Sequence, residues 1–495
     1  MERPTGTRRD GWRRFGGSNL RRRLLSAPRL LLLLTFGVLC HNVAWVVALP
    51  AWQGPDESSH YAYVERLAVD HTLMPFDSGT DGPSNSDATN SSLGGTGFNE
   101  LRFRYPLRPF GAASADNVHF LREVPGLPQH NYGELGANKY PPAYYVAALP
   151  FFELPWLSRA TEREYTIRLL SALLGALLVP LTYRLARSAA LSVRASLIAA
   201  ALATSAPIMT QQSAVFSPDV LLVVAITGLA DACLRARSRI DRRPIGRVVA
   251  WGALAALTKP IGLPAAAAIV APIAILTLAD VARRTRIALL AGCGVAGVLL
   301  GSYFASTFFG IAPAHSAWLA RLKFTGEYLW QYYLPRPSAM PLIVPPATPA
   351  SPPAAWMWGK EGVGILGWLT TRLPEWAYSL AWTPTKIAGV IALAGGVFGR
   401  GRDRSGRSPV LALLVASIAY VLVLHGAEAT YLLSNGNRLL QGRYFLPVYP
   451  LIAVALMAGL SRFGERLAIA VGFVLLAAWS FVAVDALNTI LVYYG

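Results

Sequence analysis

The chain has 495 residues, of which 54% are hydrophobic and only 15% are charged, and its formal net charge is +18. A typical soluble domain carries about 25% charged residues, and the apolar residues here fall into blocks of about 20, the length that crosses a bilayer core. Because lipid cannot hydrogen-bond an open backbone, such blocks must be helical. The composition therefore excludes an ordinary soluble domain and predicts an all-α polytopic membrane protein.

The basic loops predict how the chain is threaded, because loops rich in Lys and Arg stay in the cytoplasm. The Arg-rich start precedes a long apolar run without a clear small-residue cleavage site, which favours a retained helix over a signal peptide. The predicted order is a cytoplasmic tail (1–28), a first transmembrane helix (29–50), a large extracytoplasmic loop (51–164), helices 2–7 (165–311), a second extracytoplasmic loop (312–376) and helices 8–11 (377–495).

This threading has about eleven spans, an inside N-terminus and an outside C-terminus, with residues 248–282 forming a short hairpin broken near Lys259 and Pro260. Arginines concentrate in the cytoplasmic loops, most densely between 235 and 247. The basicity is therefore an orientation signal in a plasma membrane and not a sign of nucleic-acid binding. The excess of Arg over Lys, with the abundance of Ala, indicates a GC-rich coding genome.

The two predicted outer loops differ in composition. The first is rich in Gly, Ser, Asn and Asp between Asp77 and Asn99, which predicts a mobile segment flanked by ordered pieces at 55–75 and 139–157. The second carries a proline-rich run and several tryptophans, which favour the membrane interface. The three cysteines form no CxxC pair, so neither a disulfide framework nor a structural zinc site is indicated.

The sequence Pro-Asp-Glu-Ser-Ser-His directly after the first predicted helix carries the candidate chemistry. On a helix, Asp56, His60, Tyr63 and Leu67 share one face, which places a carboxylate beside an imidazole and fits a general base with a proton partner. Two other interpretations stay open. Asp56 and Glu57 could serve only as acidic residues at the positive end of a helix, or Asp56 and His60 could share a metal ion, although no third ligand is evident.

This motif resembles the signature of GT-C membrane glycosyltransferases, and within them it is most similar to the DUF2142 bacterial membrane-protein family, a relative of the protein mannosyltransferases. The further segments that agree with this resemblance are Lys139–Tyr145, Arg168–Gly175, Ser217–Asp219, Thr258–Pro260 and Gln441–Pro447. The resemblance spans residues 55 to 450, and it departs from the family where Ser58 replaces a proline.

The resemblance implies an inverting transfer of a sugar from a polyprenyl-phosphate donor to an extracytoplasmic glycan, lipid or protein acceptor. It carries over Asp56 as the catalytic base, with Glu57 and His60 beside it. The leaving phosphate needs cations and polar partners, for which the candidates are Lys139, Tyr144, Asp219, Lys259, Arg438, Gln441 and Arg443. No cofactor is indicated for certain, a divalent cation stays open, and the metal ligands are unknown.

Some of these residues have a simpler structural interpretation. Lys259 lies between apolar neighbours, where an ionisable group is usually functional but can also reach the interface along its alkyl stem. Asp219 could cap a helix, and Arg443 could anchor the chain at the interface. Two other functions also remain: a transporter or flippase for lipid-linked saccharides, and a non-catalytic subunit of envelope assembly.

Overall fold

The computed structural model describes residues 27–71, 73, 92–93, 140–236, 242–277, 283–308, 318–344, 353–367, 371–398, 407–436 and 438–494. Residues 1–26 of the predicted cytoplasmic tail, Lys139, most of the segment predicted to be mobile and residues 345–352 of the proline-rich run lie outside these residues.

Helices make up nearly all the secondary structure of the described residues. Their bounds are α1 Ala27–Ala48, α2 Glu57–Asp70, α3 Ala143–Phe152, α4 Ala160–Ser188, α5 Val193–Thr204, α6 Pro207–Gln212, α7 Asp219–Ala236, α8 Arg242–Thr258, α9 Gly262–Thr277, α10 Arg283–Phe308, α11 Trp318–Tyr333, α12 Pro353–Trp356, α13 Glu375–Phe398, α14 Arg407–Asn435, α15 Tyr449–Leu460 and α16 Glu465–Tyr494. A π-helical turn covers Met357–Glu361, and 3-10 turns cover Gly442–Val448 and Ser461–Phe463. Two two-residue strands, Ile365–Leu366 and Thr371–Arg372, pair antiparallel. The predicted all-α architecture is confirmed.

Six helical segments in the described residues are long and apolar enough to cross a membrane. They are Pro28–Ala48, Ala160–Ser188, Ile287–Phe308, Pro409–Asn435, Gly442–Phe463 and Glu465–Tyr494. The other predicted spans coincide with helices that are shorter or less apolar, including the two arms of the hairpin, α8 and α9. The count of eleven crossings and the sidedness of the loops therefore stay predictions.

The hairpin breaks between Thr258 and Gly262, as the sequence predicts. Pro260 has no N–H for the helical ladder, and its ring would clash with the preceding turn, so α8 cannot continue through it. The amide of Gly262 instead bonds the carbonyl of Lys259 at 2.8 Å and closes a tight turn. Lys259 is thereby placed at the break, inside the bundle.

Helices α10 and α14 pack closely, and their contact forms one wall near the candidate site. A Cβ on Gly301 would lie 1.9 Å from the carbonyl oxygen of Val423, so no larger residue fits without moving the helix. The same close approach brings Phe304 and Phe308 of α10 beside Leu424 of α14. At the end of the bundle that carries α2 and α3, a separate apolar cluster includes Trp52, Tyr61, Tyr144, Tyr145 and Phe216.

Candidate active site

Asp56 immediately precedes α2 and adopts a left-handed backbone conformation, with φ of 64°. Only a few per cent of non-glycine residues do so, and Asp is among those that tolerate it best. The Asp56 side chain makes no capping hydrogen bond to the helix. Its carboxylate instead accepts a hydrogen bond from Nη2 of Arg443 at 2.6 Å. The helix-cap interpretation therefore does not describe what this carboxylate does.

Arg443 reaches Asp56 from the far end of the sequence. It lies in the 3-10 turn Gly442–Val448, and its side chain is only 5% exposed, whereas that of Asp56 is 43% exposed. The turn is fixed because the amide of Gly442 donates to Oε2 of Glu361 at 2.8 Å. Nε of Arg443 is buried and has no hydrogen-bond partner among the described residues. The site thus keeps one cationic N–H available beside the Asp56 carboxylate.

A second ion pair lies close by, formed by Lys259 at the hairpin break and Asp219 at the start of α7. Nζ of Lys259 lies 2.5 Å from Oδ1 of Asp219, and both side chains are less than a tenth exposed. The hydroxyl of Ser217 donates to Oδ2 of Asp219 at 3.0 Å and also accepts from the Asp219 amide. Lys259 therefore stays inside the bundle and does not reach the interface, and Asp219 holds a cation rather than capping α7.

Lys259 and Asp219 line one end of an open cavity. Its polar end contains Asp219, Lys259, Tyr140 and Tyr444, with the ammonium of Lys259 5.5 Å and 5.2 Å from the two ring centres. The rest of the lining is mostly apolar; it includes Leu222, Phe304, Phe308, Leu424 and Leu440. A cavity with the Lys259 ammonium at one end and mostly apolar walls suits an amphiphilic ligand that carries an anionic group.

Asp56 is held in its charged form. Burial alone would raise the pKa of its carboxyl group, but the opposing charge of Arg443, with smaller contributions from His60 and Lys259, brings the pKa below its usual value of 3.8. Asp56 is therefore ionised at neutral pH. It can accept a proton or a hydrogen bond, although its ion pair makes it a weaker base than an unpaired carboxylate.

His60 is buried behind Asp56, and Nδ1 lies 2.9 Å from the hydroxyl of Tyr145. Burial lowers the pKa of His60 to about 4, and the nearby Asp56 charge only partly opposes that shift. The imidazole is therefore neutral at pH 7. Tyr63 stacks on Tyr145 with ring centres 3.9 Å apart and so supports the ring whose hydroxyl contacts the imidazole.

Glu57 points away from the cavity, although it directly follows Asp56. Its side chain is fully buried and forms a bidentate ion pair with Arg168 of α4. The structure therefore gives adjacent acidic residues different surroundings: Asp56 is partly exposed and pairs with Arg443, whereas Glu57 is fully buried and pairs with Arg168.

The structure brings together Asp56, His60, Asp219, Lys259 and Arg443, and the other predicted residues lie apart from this group. The hydroxyl of Tyr144 lies 2.6 Å from that of Ser171, and Nε of Arg438 lies 3.7 Å from Oε1 of Glu428. Oε1 of Gln441 is buried and has no hydrogen-bond partner among the described residues. Lys139 lies outside the described residues. Within the described residues, no group of three His, Cys, Asp or Glu side chains is arranged to hold a metal ion. Whether a divalent cation takes part stays open.

Sequence reasoning gave no role to Arg168, which the structure shows to be fully buried. A signal was present, because Arg168 is a charged residue within the apolar run of α4, where such residues are costly and are kept for a partner or a function. The tyrosines that line the polar end, Tyr140 and Tyr444, were also missed. Each lies next to a residue that the sequence did single out.

Together, the fold and site define a polytopic membrane protein with a charged cavity at one end of its helices. The family described as predicted membrane protein (DUF2142) matches residues 39–452. The chain belongs to this family, which confirms the predicted resemblance and the membrane assignment. No curated protein matches the sequence.

The solved structures that resemble this chain include the following three. The oligosaccharyltransferase of Archaeoglobus fulgidus, in its apo form, is 13% identical with a TM-score of 0.46, and the match covers 92% of this chain and 56% of that one. The chain therefore spans little more than half the length of that protein. ArnT from Cupriavidus metallidurans, solved with undecaprenyl phosphate, is 15% identical with a TM-score of 0.33, and the match covers 90% of this chain and 77% of that one. The apo structure of the same protein is 18% identical with a TM-score of 0.33, and the match covers 91% of this chain and 78% of that one.

Proposed function

We propose that this protein is a membrane glycosyltransferase that moves a sugar from a polyprenyl-phosphate donor to a hydroxyl-bearing acceptor of the cell envelope, on the extracytoplasmic side. The observation that carries the proposal is the pairing of Asp56 with a buried Arg443 whose Nε has no partner among the described residues, beside an amphiphilic cavity. A carboxylate base and a free cationic donor are the two groups that such a transfer requires.

The cavity matches the donor in both chemistry and polarity. A phosphate oxygen can accept from Nε of Arg443 and from the N–H groups of Lys259 that do not bond Asp219, which are charge-assisted contacts of the strong kind. The isoprenoid chain then lies along the walls formed by Phe304, Phe308 and Leu424. Tyr140 and Tyr444, next to the ammonium, offer ring faces and hydroxyls to the sugar.

The reaction follows as one displacement. The acceptor oxygen forms a bond to the anomeric carbon while the bond from that carbon to the phosphate oxygen breaks, and the configuration inverts. Asp56 takes the proton of the attacking hydroxyl, a role that contributes about 10²–10⁴-fold in rate. The electron pair of the broken bond goes to the phosphate, where Arg443 and Lys259 stabilise the added negative charge. His60, neutral at pH 7, positions Asp56 and does not supply a proton.

The test is an assay of purified protein with a panel of polyprenyl-phosphate sugars, with and without a chelator. Release of polyprenyl phosphate from one donor, coupled to a glycosylated acceptor, is expected. The Asp56→Asn variant should bind the donor but turn over about 10²–10⁴-fold more slowly. The matched control is Asp70→Asn in the same helix, because Asp70 is about half exposed and pairs with Arg66 on the helix surface.

Two outcomes would overturn the proposal. Donor movement across vesicle membranes without release of polyprenyl phosphate would indicate a transporter of lipid-linked saccharides. Equal behaviour of the Asp56→Asn variant and the parent in every assay would indicate a non-catalytic subunit of envelope assembly. A loss of turnover in the presence of chelator would add a divalent cation to the mechanism.

A further inference from the structure

Glu57 makes more contacts than a helix-capping residue needs. Oε1 accepts from Nε of Arg168 at 2.8 Å and from the amide of Phe216 at 2.7 Å. Oε2 accepts from Nη2 of Arg168 at 2.6 Å and from the amide of Gly54 at 2.7 Å. Each oxygen thus receives two hydrogen bonds, which uses the acceptor capacity of an ionised carboxylate.

These bonds join three separate parts of the chain at the residue after Asp56. Gly54 belongs to the turn before α2, Arg168 to α4, and Phe216 to the segment that leads to Asp219. A Cβ on Gly54 would lie 2.5 Å from the carboxyl carbon of Glu57, so only glycine lets its amide come this close.

Arg168 extends the same network to the end of α1. Its Nη1 and Nη2 donate to the carbonyls of Leu49 and Pro50 at 2.7 Å and 2.9 Å, and Nη2 also lies 2.6 Å from Glu57 and 2.7 Å from Glu164. The side chains of all three charged residues have zero exposure. The guanidinium therefore fixes both chain segments that flank Asp56.

The charges of this cluster do not balance if every group is ionised, because two carboxylates share one guanidinium. Oε1 of Glu164 is satisfied by Arg168 and by the amide of Trp52 at 3.0 Å, but Oε2 is buried and has no partner among the described residues. An unpaired buried charge is far more costly than a neutral acid. Of the two carboxyl groups, Glu164 has the less complete set of partners, which favours a proton on Glu164.

We propose that Arg168 and neutral Glu164 form a positioning unit, which acts through Glu57 to hold Asp56 in its left-handed conformation with its carboxylate towards Arg443. Glu57 and Arg168 are positioning residues here, because their polar atoms are occupied by the protein and do not face the cavity. This inference rests on the proposed function only where it concerns catalysis. The structural part, that Glu57 holds the turn, can be tested without any substrate.

The first experiment compares Arg168→Lys with the parent by hydrogen–deuterium exchange and by steady-state kinetics. Lysine keeps the charge but cannot make a bidentate pair while also bonding two carbonyls. We expect the amides of Gly54 and Phe216 to exchange faster, while the distant helices α10 and α14 keep their protection. We also expect kcat to fall about 100-fold, the size of loss that a displacement of about 1 Å produces, with KM for the donor changed less than about twofold.

The matched control is Arg163→Lys, one and a half turns earlier on α4. Arg163 lies over the Phe152 ring and makes a long 3.4 Å bond to the carbonyl of Leu157. Its exchange pattern and kinetics should match the parent. If Arg168→Lys does not fold, Glu57→Asp serves instead, because it keeps the charge but withdraws the carboxylate by one methylene.

A second variant tests the proton on Glu164. Glu164→Gln replaces a neutral acid with a neutral amide of the same size, and the amides around Glu57 should keep the exchange protection of the parent. Loss of that protection would show that Glu164 is charged and would overturn the proposed unit. Unchanged exchange and unchanged kcat in Arg168→Lys would overturn the positioning role.

The results separate this inference from the proposed function. If Arg168→Lys loosens the turn but Asp56→Asn remains fully active in every assay, the positioning unit stands and the transferase proposal fails. If Asp56→Asn is inactive but Arg168→Lys keeps both protection and kcat, the transferase proposal stands and the positioning unit fails.

Discussion

The buried ion pair between Lys259 and Asp219 provides the sharpest separation of structural and functional roles. Lys259→Met removes the cation and leaves the Asp219 carboxylate, which is only 6% exposed, without its charge partner. Two unit charges about 4 Å apart attract by about 4 kcal/mol at an effective dielectric constant of about 20. Losing one partner of a buried pair costs about 3–5 kcal/mol. We expect a loss of this size in the free energy of unfolding, measured in mixed detergent micelles.

The double variant Lys259→Met, Asp219→Asn removes both charges and keeps an acceptor for the Ser217 hydroxyl. Because replacing a whole buried pair by uncharged groups is often nearly neutral, its free energy of unfolding should return to within about 2 kcal/mol of the parent. Its turnover of donor should stay about 10²–10³-fold low, the usual cost of removing one donor that stabilises charge in a transition state.

The control for this pair is Lys323→Met on α11. Lys323 is 77% exposed and lies 3.8 Å from Glu327, so its pair contributes at most about 1 kcal/mol, and turnover should not change. Recovery of both stability and turnover in the double variant would refute the reasoning. Lys259 would then be needed only to neutralise Asp219, and its assignment to the leaving phosphate would be withdrawn.

Three further predictions concern the turn at Asp56. Because the folded-state pKa of Asp56 lies below its usual value, kcat should stay flat as pH falls from 7 to about 4, and a fall in kcat that begins above pH 5 would contradict this. The Asp56 ion pair should stabilise the fold fully above the unfolded-state pKa, and this stability should be lost as pH falls through the lower folded-state pKa. His60, with a pKa of about 4, should produce no step in the kcat profile between about pH 5 and 8, and a step that disappears in His60→Gln would disprove it. Gly54→Ala places a Cβ 2.5 Å from the Glu57 carboxyl carbon, so it should lower the free energy of unfolding by about 1–3 kcal/mol and also lower turnover. Gly37→Ala, which has open space around its Cβ, should lower neither quantity. Thermal unfolding and the donor assay compare the two variants.

Local patterns in the sequence predicted the helices well. The apolar blocks located the helices, and Pro260 located the break in the hairpin, because both signals depend on neighbouring residues. The start of α2 was less well predicted. The sequence pattern places Asp56 on the helix, whereas the helix begins at Glu57 and Asp56 adopts a left-handed conformation that no local pattern required.

The composition of the site depended on contacts between distant segments, and sequence reasoning recovered only part of it. The motif pointed to Asp56, and the resemblance pointed to Arg443, but neither indicated that the two side chains form a hydrogen bond. The different surroundings of Asp56 and Glu57 could not be predicted either. They follow from Arg168, whose charge lies within an apolar helix and whose partners are set by tertiary packing.

The hydrogen bond between Asp56 and Arg443 joins residues 387 positions apart. At a synthesis rate of about 5–20 residues per second, roughly 20–80 s separate the translation of these two residues. During that interval Arg168 is already available to Glu57, so the turn at Asp56 can form early, but its cationic partner is still missing. If the proposed function holds, a nascent chain lacks the cationic partner of its base until Arg443 has been synthesised and has packed against Asp56.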